Sequence, residues 1–215
     1  MVIQFAKEIQ MKTVSFVSKK GGVAKTTSAI HYAYWLSLQK LAVTLIDDDN
    51  NRTASNWAER AQGNDKFTVP FRIASFRSMS KAVDGADYVV IDSQASRTDD
   101  DLKDFAEDCD LVVIPTKPDI NSARSAVETA DAINRHGGEY RILIADVPGY
   151  NTTGKELAED LAKDGYLVLK KTIRRSEGIN HASLAGSTLM QLAGGYKLPW
   201  RDYEAAFVEM AGVIN

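Results

Sequence analysis

Short apolar runs alternate with longer amphipathic stretches along this chain. Residues 13–17, 42–46, 88–91, 111–114 and 142–145 are brief, rich in β-branched side chains and, apart from Ser15, nearly continuous in apolar character. Runs of that kind are strands covered on both faces. Between them apolar positions recur at helical spacing, over 27–38, 53–60, 99–105, 121–135 and 154–163. A last stretch, 203–213, carries Ala205, Ala206, Phe207, Met210 and Val213 and predicts a helix packed on the sheet. This β-α alternation predicts an α/β fold, a mostly parallel twisted sheet with right-handed crossovers and helices on both faces. Such sheets bind ligands beyond the carboxyl ends of their strands. The polar segments 19–27, 47–49, 92–93 and 115–117 all fall at such ends.

Composition narrows the function classes. A length of 215 residues suits one large domain, read as 11–215, with residues 1–10 as a short leader or an alternative start ahead of Met11. A net charge of −3 argues against a uniformly basic nucleic-acid binder and leaves a local basic patch open. Cys109 is the only cysteine, which excludes an internal disulfide and a cysteine-rich metal or iron–sulfur site within one subunit. That usage suits a reducing cytoplasm. No apolar run approaches a membrane span, and residues 1–10 lack the basic start and long apolar centre of a signal peptide.

The segment Lys19-Lys20-Gly21-Gly22-Val23-Ala24-Lys25-Thr26-Thr27 stands between the first strand and the first helix. A strand, a glycine-containing loop and a helix in that order converge backbone N–H groups on an anion. Lys25 can reach β- and γ-phosphates, and the Thr26 hydroxyl can ligate Mg²⁺. Ala24 occupies the place where glycine ordinarily precedes the lysine, so its methyl fits with a negative φ or a slightly displaced helix start. Asp92 ends an apolar strand, from where a carboxylate can hold Mg²⁺ through water. Alternation points Asp47 and Asp49 to one side, one to organise Mg²⁺ and the other to position water. Each aspartate alone is also what a helix cap or a turn would use. His31, His136 and His181 show no paired metal-ligand spacing and read as packing or surface residues.

Lys20 to Thr27 matches the deviant Walker A pattern K-G-G-x-x-K-[ST]-[ST], so the chain resembles the ParA/MinD superfamily of P-loop ATPases. Leu45-Ile46-Asp47-Asp48-Asp49 is similar to that family's second motif, and Asp92-Ser93-Gln94-Ala95-Ser96 to its Walker B and switch segment. Val112 to Pro118 resembles its strand-then-proline segment, and Lys171-Thr172-Ile173-Arg174-Arg175 loosely resembles the late K-T-x-I-P-R segment of partition ATPases. The resemblance runs from Met11 onward. Proline is missing after the second motif, from the switch segment at Gln94, and from the late segment.

The resemblance implies a P-loop NTPase fold and an ATPase, slow unless a partner stimulates it, with ATP and Mg²⁺ as cofactors. ATP would be bound by Lys20, Gly21, Gly22, Val23, Ala24, Lys25, Thr26 and Thr27. Mg²⁺ would be held by Thr26, Asp47 and Asp92, and Asp49 would orient the attacking water. Lys25 would act in catalysis on the β- and γ-phosphates, and Lys20 would be the signature lysine, which acts in catalysis by reaching a partner's phosphates in a nucleotide-sandwich homodimer. The basic residues Lys170, Lys171, Arg174 and Arg175, with Lys163 nearby, would give non-specific DNA binding, doubled by dimerisation. A ParB-like or other cargo adaptor would stimulate hydrolysis and release, for plasmid or chromosome segregation or for cargo such as carboxysomes. The protein would be cytoplasmic and nucleoid-associated, without a membrane partner. Two alternatives share the fold: a MinD-like membrane-associated ATPase and a metabolic synthetase. Against the first, no lysine or arginine follows Arg201.

Overall fold

The computed structural model describes residues 11–64, 67–149 and 152–214. Six strands form one all-parallel sheet among the described residues: β1 (Lys12–Phe16), β2 (Val43–Asp48), β3 (Arg72–Ser75), β4 (Tyr88–Ser93), β5 (Leu111–Thr116) and β6 (Tyr140–Ile144). Their spatial order is β3-β2-β4-β1-β5-β6. The chain therefore reverses direction across the sheet at β1, and the loop after β1 opens at that switch point, where parallel sheets bind ligands. The register sets Asp92 of β4 between Phe16 of β1 and Asp47 of β2. Two acidic strand ends thus stand beside the start of the glycine-containing loop.

Helices cover both faces, as the alternation predicts. On one face α1 (Lys25–Leu38) and α8 (Leu198–Ile214) pack over the sheet centre. Their shared core is aromatic: Tyr32 stacks on Trp35 at 5.9 Å and meets Phe207 at 5.1 Å between ring centroids. Tyr203, Ala206, Phe207 and Met210 are fully buried there, so the apolar stripe of the last helix is spent on the core. On the other face α4 (Asp99–Asp108), α5 (Ile120–Arg135) and α6 (Thr153–Lys163) bury Leu102, Ile133 and Leu161. Three more helices complete the set: α2 (Thr53–Gln62), the single turn α3 (Met79–Ala82) and α7 (Glu177–Ala185).

Three of these elements lie outside the apolar pattern: the single turn α3, β3 and α7. Strand β3 pairs with β2 at the sheet edge, and its side chains are half-buried or exposed, so no apolar run marks it. Helix α7 is short and weakly amphipathic. Its ends are marked instead by Ser176, whose side chain accepts from the Gly178 N–H, and by Gly186 in the left-handed region at φ 66°. A Cβ on Gly186 would come within 2.2 Å of the Ala61 backbone nitrogen, so only glycine lets α7 end against α2. No described helix is long and apolar enough to cross a membrane. The expected leader, residues 1–10, lies outside the described residues.

Candidate functional site

The loop from Ser18 to Ala24 leads directly into α1, which begins at Lys25, two residues before the predicted start at 27. Ser18 Oγ accepts from the Lys20 N–H at 3.1 Å and turns the chain out of β1. Gly22 and Ala24 both take left-handed conformations, each at φ 72°. The expectation of a negative φ at Ala24 is therefore corrected. The backbone keeps the fold a glycine would adopt, and the methyl is carried at a cost of about 1–2 kcal/mol. What holds it is the loop's own geometry, since Ala24 is the N-cap residue and its carbonyl accepts the Ser28 N–H at 3.0 Å.

Lys25 is buried, and its Nζ lies 3.4 Å from the Lys20 carbonyl oxygen. Burial lowers its pKa, Asp92 and Asp49 act to raise it, and the Arg97 guanidinium lowers it further. Asp92 has no exposure, and neither carboxylate oxygen meets a donor in hydrogen-bonding geometry. Burial, with Asp47 and Asp49 nearby, raises its pKa to about 7, against the lowering influence of Thr26 and Lys25. A buried carboxylate with only Thr26 and Lys25 to offset its burial is destabilising unless a proton or a cation neutralises it. The site thus fits a metal ion seated beside Thr26.

Asp47 and Asp49 both lie near enough to Asp92 to act on its charge, whereas the intervening Asp48 lines a separate groove. Asp47 Oδ2 accepts from the Ser55 N–H at 2.7 Å and from the Ser55 hydroxyl at 2.6 Å, and its Oδ1 accepts from the Asp49 N–H at 3.2 Å. These bonds tie the end of β2 to the first turn of α2. Asp49 lines the cleft, with its Oδ1 taken by the Asn51 N–H at 2.9 Å. Asn50 Nδ2 donates to Gln94 Oε1 at 3.0 Å, which joins the loops after β2 and β4 in the absence of their missing prolines. Asp48 pairs with Arg97, and that guanidinium also lies 5.5 Å from the centre of the Phe105 ring.

These residues open on a cleft of about 850 Å³, lined by Gly21, Gly22, Lys25, Thr26, Asp49 and, at its far end, Asp146. Asp146 accepts from Arg175 at 2.8 and 3.1 Å and pairs with Lys117 at 3.1 Å. Burial works against this carboxylate, but Arg175 and Lys117 hold it below its ordinary range. Tyr203 closes the same end.

The four basic candidates do not form one cluster. Lys171 Nζ and Arg174 Nη2 both reach Asp202 Oδ1, each at 2.9 Å. Asp202 is only 1% exposed, and burial of its carboxylate is outweighed by these cations, so its pKa falls. Lys170 is exposed beside them, and its backbone N–H bonds to Glu209. Arg175 instead turns to Asp146 at the cleft rim. Lys163 pairs with Asp160 on α6.

Lys20 is the residue whose position differs most from the rest of its loop. Its Nζ lies 2.7 Å from Ser122 Oγ and 3.3 Å from Asp119 Oδ1, and it does not line the cleft. Asp119 is the N-cap of α5, with Oδ1 accepting the Ser122 N–H at 2.9 Å. Asp119, Ser122, Ser55 and Arg97 were not legible as site residues. Each reaches the site from another segment, and only the strand order brings them together.

A parallel sheet with a glycine-containing anion loop at its switch point, a lysine and threonine opening the next helix, and a buried strand-end aspartate define a P-loop nucleotide-binding protein. A family model described as the CobQ/CobB/MinD/ParA nucleotide binding domain matches residues 14–189, and the chain belongs to that family. A maintenance of carboxysome distribution protein A from Gloeobacter kilaueensis is 30% identical over 190 residues, covering 85% of this chain and 86% of that protein. Among solved structures, a Borrelia burgdorferi plasmid partition protein bound to AMPPNP superposes with a TM-score of 0.72 at 20% identity, over 94% of this chain and all of that one. A Pyrococcus horikoshii septum site-determining protein MinD complexed with Mg-ADP superposes with a TM-score of 0.67 at 15% identity, over 96% and 99% of the two chains. The fold assignment stands on these superpositions.

Proposed function

We propose that this protein is a positioning ATPase that ATP converts into a DNA-binding homodimer. Lys25 and the N–H groups from Gly21 to Thr27 hold the triphosphate, while Lys117, Asp146 and Arg175 border the end of the cleft where the base would lie. Mg²⁺, when bound, neutralises phosphate charge; Thr26 and Asp92 hold it, with Asp47 in support. Among the described residues no three His, Cys, Asp or Glu side chains make a protein-only cage. That suits an ion that keeps water and phosphate in its shell. Asp49 orients the attacking water. Lys170, Lys171 and Arg174 form the DNA face, with Arg175 between it and the cleft. A cargo-bound adaptor stimulates hydrolysis and resets the cycle.

The observation that carries this reading is Lys20. Its ammonium sits outside the cleft that its own loop forms, beside Asp119 and Ser122 and next to Ile120, which is 80% exposed. A cation so placed is turned away from its own chain's cleft, and once its contacts with Asp119 and Ser122 break it can serve a second subunit's phosphates. An exposed isoleucine alongside it suits a face that closes. The buried stripe of α8 leaves that helix no apolar face for a bilayer, which speaks against the membrane alternative.

The test is DNA co-sedimentation with ATP, with ADP and without nucleotide, on the wild type and on Lys20→Ala. Binding only with ATP, lost in Lys20→Ala, is the expected result. Equal binding in all three states sinks the proposal.

A further inference from the structure

On the face of the sheet opposite α1, a groove of about 530 Å³ runs between α3 and α4. Its floor is apolar, made by Val89 and Ile91 of β4 and by Phe105 of α4. Phe76 stands at its edge, 54% exposed. Along one wall α4 presents Asp104 and Asp108, one turn apart and both exposed. No described cation pairs with either.

The fold itself gains nothing from those two carboxylates. Like charges at i and i+4 repel, and an acidic residue in the last turn opposes the helix dipole. Helix α4 has no basic residue in its last turn to offset this. Among the described residues the one cation lining the groove, Arg97, is already engaged with Asp48, Asp101 and the Phe105 ring. An apolar floor with an unpaired acidic wall is complementary to an apolar anchor flanked by positive charge.

We propose that this groove docks a short basic amphipathic segment of a partner protein, which sets an apolar side chain on Val89, Ile91 and Phe105 and lays lysine or arginine along Asp104 and Asp108. That the partner is the stimulating adaptor rests on the positioning reading above. The groove has a direct connection to the site: Arg97 lies in its wall and grips Asp48, the residue between Asp47 and Asp49. A cation arriving in the groove competes with Arg97 for acidic partners and loosens its hold on the loop after β2.

The test uses the full chain and a fluorescein-labelled 14-residue peptide of leucine and lysine at helical spacing, with a leucine–glutamate peptide as its control. Cys109 lines the groove and is the sole cysteine, so its alkylation reports occupancy. The leucine–lysine peptide should bind the wild type, slow alkylation of Cys109, and lose at least tenfold in affinity on Asp104→Lys with Asp108→Lys. The glutamate peptide should bind only that reversed variant. Unchanged affinity in the reversed variant, or an unprotected Cys109, overturns the proposal. So does a chain lacking residues 2–10 that binds tenfold more tightly than the intact one, because the groove would then hold this chain's own segment. ATP-dependent DNA co-sedimentation of the wild type, without peptide, separates the two readings. Peptide binding without ATP-gated DNA binding defeats the positioning reading and leaves the groove standing. The converse defeats the groove alone.

Discussion

Lys20 and Asp119 form an ion pair at 3.3 Å across the gap between the phosphate loop and the first turn of α5. Ser122 Oγ completes the hold at 2.7 Å. Hydrogen bonds from the Ser122 side chain and backbone, and then Lys20, keep the Asp119 carboxyl below its ordinary range. The lysine proposed to reach another subunit is therefore tethered within its own chain, and closing the dimer must break that tether.

Asp119→Asn should favour the dimer. Asparagine still caps α5, so the helix keeps its start, while the charge on Lys20 is released. Both side chains are more than a third exposed, so the pair is worth at most about 1 kcal/mol. The variant should dimerise in ATP at about two- to fivefold lower protein concentration, as read by sedimentation velocity. An unchanged midpoint would mean that the tether does not oppose closure.

Ala24→Gly should stabilise the protein. Ala24 sits at φ 72°, ψ 23°, where a Cβ is strained and glycine is not. Relief of about 1–2 kcal/mol is partly offset by the greater freedom of glycine in the unfolded chain, about 0.5–1 kcal/mol. The net gain of roughly 0.5–1 kcal/mol should raise Tm by about 1–4 °C in a chain of this size. A lower Tm would show that the loop relaxes differently around the methyl.

How the sequence encodes these features differs from residue to residue. The four interior strands and the edge strand β6 were legible because their side chains are largely buried, and the structure shifts or extends their ends by only a residue or two. Strand β3 was not, because an edge strand with exposed side chains carries no apolar run. Lys25, Thr26, Asp47, Asp49 and Asp92 were legible as a set because a local loop and two strand ends place them. Asp119, Ser122 and Arg97 act through pairings 49 to 102 residues apart, and such pairings exist only once the sheet order is known. The run 170–175 looked like one basic patch, yet Arg174 and Arg175 point to different carboxylates, Asp202 and Asp146. Adjacent residues on an extended segment face opposite ways.

That division separates the tests of DNA binding. Arg174→Ala removes a partner of a buried carboxylate and leaves only Lys171 and the Arg174 backbone N–H on Asp202. It should destabilise the protein by about 2 kcal/mol as well as weaken DNA binding. Lys170→Ala touches no such carboxylate. It should leave the urea midpoint unchanged and make the slope of log affinity against log salt shallower by about 2 for the homodimer, about 1 for each of its two copies of Lys170. A Lys170→Ala protein with an unaltered salt slope would remove that lysine from the DNA face.

His31 predicts how stability depends on pH. It is 3% exposed, and burial lowers its pKa from near 6.5 to about 4, against the opposing pull of its bond to the Thr27 carbonyl. Nδ1–H donates to that oxygen at 2.6 Å, and Nε2 accepts the Leu189 N–H at 3.0 Å, so the folded ring is neutral. A proton on Nε2 would abolish the second bond. The unfolded ring binds a proton below pH 6.5 and the folded ring only near 4, so the contribution of His31 falls as pH drops through that window and is flat above it, while Asp92, raised to about 7, shifts stability the opposite way. The loss approaches about 3 kcal/mol, at 1.36 kcal/mol per pKa unit. Asp146 and Asp202, whose pKa values are lowered from 3.8, lose their contributions only at more acid pH. Urea unfolding at pH 7.0, 5.5 and 4.5 should show the stability difference between the wild type and His31→Gln shrinking as pH falls, because Asp92 titrates alike in both. His31→Gln retains a donor and an acceptor without titrating, so it should be less stable at pH 7.0 and lose most of that deficit by pH 4.5. A difference that stays constant with pH would place the acid sensitivity elsewhere.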